Sequence, residues 1–323
     1  MSNAATRPKR RDIEYNVRDI TVRGWLQVPD GPGPHPVVIL AHGFGGLKEW
    51  TIPELADTLV SVGIAAIAFD YRNFGDSDGS PREEVDHCGQ IEDFLGAIAY
   101  ATTVSELDPA RIGLWGTSLG GRNVLAAAAI DSRVKCVVAQ VPGVSLSSRL
   151  WVDMMLPDSD VATLEAAIFE DQRDRLLGKE PRYVSMDAPP DSEPGSYLIT
   201  HGEEERRNWR KRISLQSFAP TVVDDLAYLI PKISPKPLLM ILAESENLTQ
   251  AAADDPRRTG APSPAGWPAF RLRGSRRAQV TAEGRRSPLL GLHRLERRDD
   301  RGHHGLVLGT SHTFTVLALT LPR

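Results

Sequence analysis

The sequence predicts an α/β fold: a mostly parallel sheet with helices on both faces and a helical lid inserted between core strands. Three observations point to it. Short continuous apolar runs alternate with helical patterns along the first 243 residues. One of those runs passes through a glycine-bracketed turn directly into a helix. The 323 residues are 41% apolar and 25% charged, enough to bury one sizeable core and carry an insertion.

Taken in order, residues 12–28 alternate as two strands, and the Pro/Gly-rich run from Asp30 to Pro36 is a turn. Residues 36–43, PVVILAHG, suit a strand buried on both faces. Leu55, Leu59 and Val62 are spaced for a helix over 51–62, which Gly63 ends. A buried strand follows at 64–70, then a long amphipathic helix at 83–103. RIGLWG at 111–116 is a strand, Leu119 to Ile130 an Ala-rich helix, and 134–141 a further strand. The last clear strand is 235–243. Between it and Val141 no buried strand is expected. That interval holds an amphipathic helix from Asp160 to Leu177, a Pro/Asp/Ser loop from Asp187 to Ser196, and one or two helices within 213–230. The expected organisation is a first core part at 1–142, a lid at 143–230, a core strand and acid loop at 231–250, and an atypical tail at 251–323.

Composition narrows the function classes. No run approaches eighteen apolar residues, so neither a transmembrane helix nor a membrane partner is expected. The stretch from Met1 to Arg11 is polar and basic, unlike a secretory signal, and a cytoplasmic location is expected. Cys88 and Cys136 cannot make a disulfide framework or a thiolate zinc cluster, and are expected as reduced, buried small hydrophobes. A net charge of -4 gives no nucleic-acid footprint. A homo-oligomer is left open. The charge divides unevenly: residues 249–323 contain 13 Arg, no Lys and 6 acidic residues, while the earlier portion contains all 7 Lys.

The chemistry centres on Gly116-Thr117-Ser118-Leu119-Gly120, a G-x-S-x-G pattern between a buried strand and a helix. Such a turn is sharp. Glycines two residues either side of the serine relieve the crowding and leave its hydroxyl at the sheet edge as a nucleophile. The following helix points its first N–H groups at the same place. His42-Gly43-Phe44-Gly45-Gly46 follows another buried strand and matches the second half of an oxyanion hole. The expected donors are the backbone N–H groups of Phe44 and Leu119. His42 is expected to brace that loop. Asp70, Arg72, Asp76 and Asp78 share the loop after the 64–70 strand, with Arg72 either bracing it through an ion pair or binding a substrate carboxylate.

HGFGG at 42–46, FDYRNFGDSDG at 69–79, RIGLWGTSLGG at 111–121 and VVAQVP at 137–142 together resemble a bacterial or fungal α/β-hydrolase. The group is the one described as dienelactone-hydrolase-like or acetyl-xylan-esterase-like, some relatives of which act on polyketide intermediates. The resemblance runs from about Arg11 to Thr249 and is specific for fold, not for substrate. It implies the α/β-hydrolase fold, no cofactor or metal, and a small-molecule ester, thioester or lactone opened through an acyl-enzyme on Ser118. It places the triad acid on Glu246, with Glu244 as runner-up, and the base after it. Of the tail histidines, His312 sits in the best local setting, a short apolar strand and turn, with Thr315 to Leu321 as a stub of the last helix. His303 and His304 come next; His293 is the fourth histidine of the tail. The 66 residues between Glu246 and His312 are long for a compact domain.

A second reading takes the tail as the product of a slipped reading frame. Glu283 to Leu290, reverse-translated and read one base later, permits a Gly-Gly-Gly-His run, and Arg277-Ala278-Gln279 permits Glu-Pro-Lys. The tail would then be disordered and the base lost. Three functions follow: a serine hydrolase, an acyltransferase using the same acyl-enzyme, or a catalytically impaired hydrolase-fold protein.

Overall fold

The computed structural model describes residues 10–50, 52–144, 161–186, 209–219, 221, 225–243 and 314–319. The chain divides into two compact units, residues 1–238 with 320–323, and residues 239–319.

The first unit is built on six strands: β1 (Arg10–Val17), β2 (Ile20–Gln27), β3 (His35–Ala41), β4 (Ala65–Phe69), β5 (Leu107–Thr117) and β6 (Val134–Gln140). Their order across the sheet is β1-β2-β4-β3-β5-β6. β1 and β2 pair antiparallel, as do β2 and β4, while β3 runs parallel to both β4 and β5, and β5 to β6. Parallel neighbours need crossover connections, and helices supply them. These are α1 (Ile52–Ser61), α2 (His87–Ala101) and α3 (Leu119–Ile130).

Strand alternation sorts side chains to the two faces. Trp25, Leu40, Ala66 and Ala68 form one buried cluster with Ile52 and Ala56 of α1. Phe69, next along β4, turns to the other face and meets Phe94 of α2 edge-on at 5.2 Å. Both faces are therefore covered, which is why β4 reads AAIAF without a polar residue.

α2 begins later than the sequence pattern suggests. Asp86 is its cap, accepting the Gly89 N–H at 2.8 Å, so residues 83–86 stay outside the helix. Glu83 there has φ of 57° and is buried. It serves as an anchor for the insertion that follows β6.

That insertion holds α4 (Val161–Leu176), the antiparallel pair β7 (Tyr183–Ser185) and β8 (Arg212–Ser214), and short 3₁₀ helices at Leu215–Phe218 and Ala227–Ile233. Among the described residues the expected helix near 160–177 is present, and a short strand pair and 3₁₀ helices stand beside it. Tyr183 and Val184 favour extended backbone, and Pro231 cannot continue an α-helix. A buried carboxylate organises the insertion: Asp171 accepts the Arg182 N–H at 2.8 Å and Gln216 Nε2 at 2.9 Å, and pairs with Arg175. Arg175 also reaches Glu84 at 2.6 Å, and Arg212 reaches Glu83 at 3.2 Å, tying the insertion to the core.

The second unit holds β9 (Leu238–Ala243), whose first residue belongs to the first unit, and β10 (Phe314–Leu319), which is hydrogen-bonded to β9. β10 replaces the expected helix stub. Phe314, Thr315 and Val316 are strand formers. Both cysteines are free and exposed, which corrects their expected burial. The Cys136 Sγ lies over Gly113 of the neighbouring strand, where a Cβ would come within 2.9 Å of it. No helix among the described residues is long and apolar enough to cross a membrane.

His87 opens α2 in a buried position, beside Arg122 of α3 and in hydrogen-bond contact with the Ser217 backbone. Burial, then the Arg122 charge, push its pKa down to about 4. The unfolded chain therefore binds the proton first. His87 contributes fully above pH ~6.5, and up to about 3 kcal/mol is lost as the pH falls from there toward the folded value. Urea midpoints measured from pH 7.5 to 4 should fall for the wild-type chain, and fall less for His87→Gln.

Candidate active site

Ser118 joins the end of β5 to the start of α3 with φ of 54° and ψ of -119°. An L-residue occupies that region only when its surroundings force it there. Here the forcing is visible. The Ser118 N–H donates to Gln140 O at 2.8 Å, and its carbonyl accepts the N–H groups of Arg122 and Gly143 at 3.1 and 3.3 Å. Glycine makes the close approach feasible. A Cβ on Gly116 would lie 2.2 Å from Gly120 O, and one on Gly120 would lie 2.4 Å from His42 O. The serine is half-buried at the C-terminal edge of the sheet, while Leu119 behind it is buried.

The second segment is the loop after β3. A Cβ on Gly43 would sit 3.1 Å from Ser118 Cβ and 3.5 Å from Ser118 Oγ, so the loop touches the serine. The structure thus brings together Ser118, Leu119 and the turn containing Phe44. His42 is buried, with its Nδ1 2.9 Å from Gly43 O and its ring edge-on to Tyr71 at 4.9 Å. Burial depresses its pKa, so it is a neutral brace, as the sequence suggested.

Two residues that the motifs did not reveal hold this loop and its neighbour. Lys48 is buried, and both its backbone N–H and its Nζ bind the buried Asp70, at 2.8 and 2.6 Å. Its Nζ also contacts Asp76 at 2.5 Å. Burial opposes the charge, but the two carboxylates outweigh it and hold the Lys48 pKa above its ordinary value. Asp93, in α2, takes the Arg72 backbone N–H at 2.9 Å and its guanidinium at 2.8 Å. Arg72 is therefore a brace. The available signal was a single carboxylate on the otherwise apolar arc of Ile91, Phe94, Ala97 and Ile98.

Glu246, Glu244, His293, His303, His304 and His312 lie outside the described residues. Among the described residues, no group of three or more His, Cys, Asp or Glu is placed to hold a metal.

This geometry can be set beside known proteins. A family model described as alpha/beta hydrolase fold matches residues 36–184. Polyketide transferase grgF from Penicillium sp is 31% identical over 247 residues, covering 75% of this chain and 80% of that protein. The chain belongs to the α/β hydrolase fold family. The crystal structure of the α/β hydrolase GrgF from Penicillium sp. sh18 matches with a TM-score of 0.61 at 27% identity, covering 76% of this chain and 86% of that one. Thiohydrolase aneE from Aspergillus aculeatus is 28% identical over 316 residues, with 93% and 88% of the two chains covered. Quorum-quenching protein AidA from Acinetobacter baumannii is 36% identical over 178 residues, which are 55% of this chain, and the match spans only 58% of AidA.

The contact between Gly43 and Ser118 gives a direct test of this α/β hydrolase's site. Gly43→Ala should displace the loop or the serine by a few tenths of an ångström, and, on the reading of Ser118 as an esterase nucleophile set out below, lower kcat/KM on a p-nitrophenyl ester by roughly 10²-fold. Circular dichroism should show the fold retained. Unchanged kinetics would mean that the contact carries no catalytic geometry.

Proposed function

We propose that this chain cleaves a small-molecule ester, thioester or lactone through an acyl-enzyme on Ser118. The observation that carries the reading is the strained, half-buried Ser118 with the Gly43–Phe44 turn against it. Ser118 Oγ attacks the substrate carbonyl while its proton passes to a histidine base. The carbonyl oxygen becomes an oxyanion facing the N–H groups of Phe44 and Leu119, and the N-terminus of α3 favours that charge. The intermediate collapses, and the alkoxide or thiolate leaves with the proton. Water then attacks the acyl group, its proton goes to the base, and Ser118 is restored. Glu246 and His312 are the acid and base we assign to this scheme, on the chain order serine, acid, histidine.

Acyl transfer is the second reading. It is favoured by the likeness to a polyketide transferase over 75% of this chain. The acyl-enzyme is the same, and an alcohol or amine replaces water in the second step. A third state of the same fold, without an effective base, would bind ligand but turn over poorly, because an unassisted serine hydroxyl is a weak nucleophile.

A fluorophosphonate probe read by intact mass separates these. One adduct per chain on the wild type and none on Ser118→Ala is expected. Absence of labelling on folded wild-type protein would overturn the catalytic reading and leave the binding-only state. Where labelling occurs, product analysis of a p-nitrophenyl ester reaction with added alcohol distinguishes acid formation from ester exchange.

A further inference from the structure

The turn that carries the Phe44 N–H is gripped from two sides. Beneath it, Asp70 holds Lys48 by both backbone and side chain. Above it lies a stretch of the insertion about 170 residues away in sequence. The Phe218 ring packs on the Phe44 ring at 5.5 Å, and the Trp209 ring meets Trp50 at 5.0 Å. Ile213 presses on Gly45 so closely that a Cβ there would lie 2.7 Å from Ile213 Cδ1. Gly45 itself has φ of 63°. Ile213 and Phe218 are both buried.

This stretch is fixed to the core. The Ser214 N–H donates to Glu83 O at 2.8 Å, and the Val85 N–H donates to the buried Ser217 Oγ at 2.8 Å. Gln216 is held by Asp171 at 2.9 Å. Residues 212–218 therefore share a hydrogen-bonded frame with the loop before α2. An insertion that only covered a pocket would need none of these contacts with the turn beneath it.

We propose that Phe218 is a positioning residue for acylation, holding the Phe44 N–H in register with Ser118 through ring packing while Ile213 holds Gly45. The proposal rests on the reading of Phe44 as an oxyanion donor. A donor works only when aimed at the place where charge develops, so looseness in the turn reduces the rate more than it reduces binding. It follows that the 212–218 stretch stays on the turn during acylation.

The test uses the same fluorophosphonate, whose tetrahedral phosphorus adduct places an oxygen where the oxyanion would sit, and hydrogen exchange of the 43–50 segment. Phe218→Ala should slow the maximal labelling rate by about tenfold with little change in the half-saturating probe concentration, and should speed exchange in 43–50. Phe218→Leu, which keeps most of the apolar volume, should recover the rate to within about threefold. Should Phe218→Ala fail to fold, Ile213→Val removes one methylene from the Gly45 contact and should shift both readouts in the same direction. A change in half-saturation alone would assign Phe218 to ligand binding and overturn the proposal, as would wild-type rate and exchange in a folded variant. If wild-type protein shows no Ser118-dependent labelling, the reading beneath the proposal fails and the proposal falls with it. That outcome is seen in the wild-type arm, before any variant is compared.

Discussion

The close packing of backbone at Ser118 is the constraint on which the rest of the site depends. Three chain segments converge there: the end of β3, the β5–α3 turn and the end of β6. They approach more closely than side chains permit, and glycine at 43, 116 and 120 is what lets them do so. The parallel order β3-β5-β6 puts all three segments at the same edge of the sheet. The hydrogen bonds to the Ser118 backbone come from the end of β6, the loop after it and the first turn of α3, and together they hold a φ that serine would otherwise avoid. Ser118 and the Gly43–Phe44 turn are adjacent because the sheet topology makes them so.

Around this centre the loops are held by charge. Lys48 with Asp70, and Arg72 with Asp93, are ion pairs in which most of the atoms are removed from water. Pairs of this kind add little net stability over a well-packed apolar substitute, but breaking one strands a buried charge at about 3–5 kcal/mol. Their consequence here is conformational. A loop that must satisfy a buried carboxylate through both backbone and side chain has few arrangements open to it. The insertion follows the same logic at its own anchor, where Asp171, Arg175, Glu83 and Glu84 link α4 and β8 to the segment before α2.

Local pattern made much of this legible before any coordinates. Residues 37–41, 65–69 and 112–116 are strands because each is apolar or glycine throughout, as a parallel sheet covered on both faces favours. Ser118 stood out because its flanking glycines and the change from strand to helix lie within a few residues. Where the reading was local but incomplete, the ends were misplaced. Asp86 capped α2 four residues later than the apolar period implied, and Phe314–Leu319 is a strand where a helix stub was expected.

The sequence by itself therefore determined the fold class, the nucleophile candidate and the turn beside it, because each is written in neighbouring residues. Only the tertiary structure decided what holds them. Lys48 finds Asp70, 22 residues away, and Arg72 finds Asp93, 21 away. Val85 finds Ser217 across 132 residues, and Phe44 finds Phe218 from the far side of the insertion. A lysine, a carboxylate or a phenylalanine looks the same in sequence whether it is solvated or buried against a partner. What distinguishes them is the desolvation and packing that the fold imposes, and those exist only once distant segments meet.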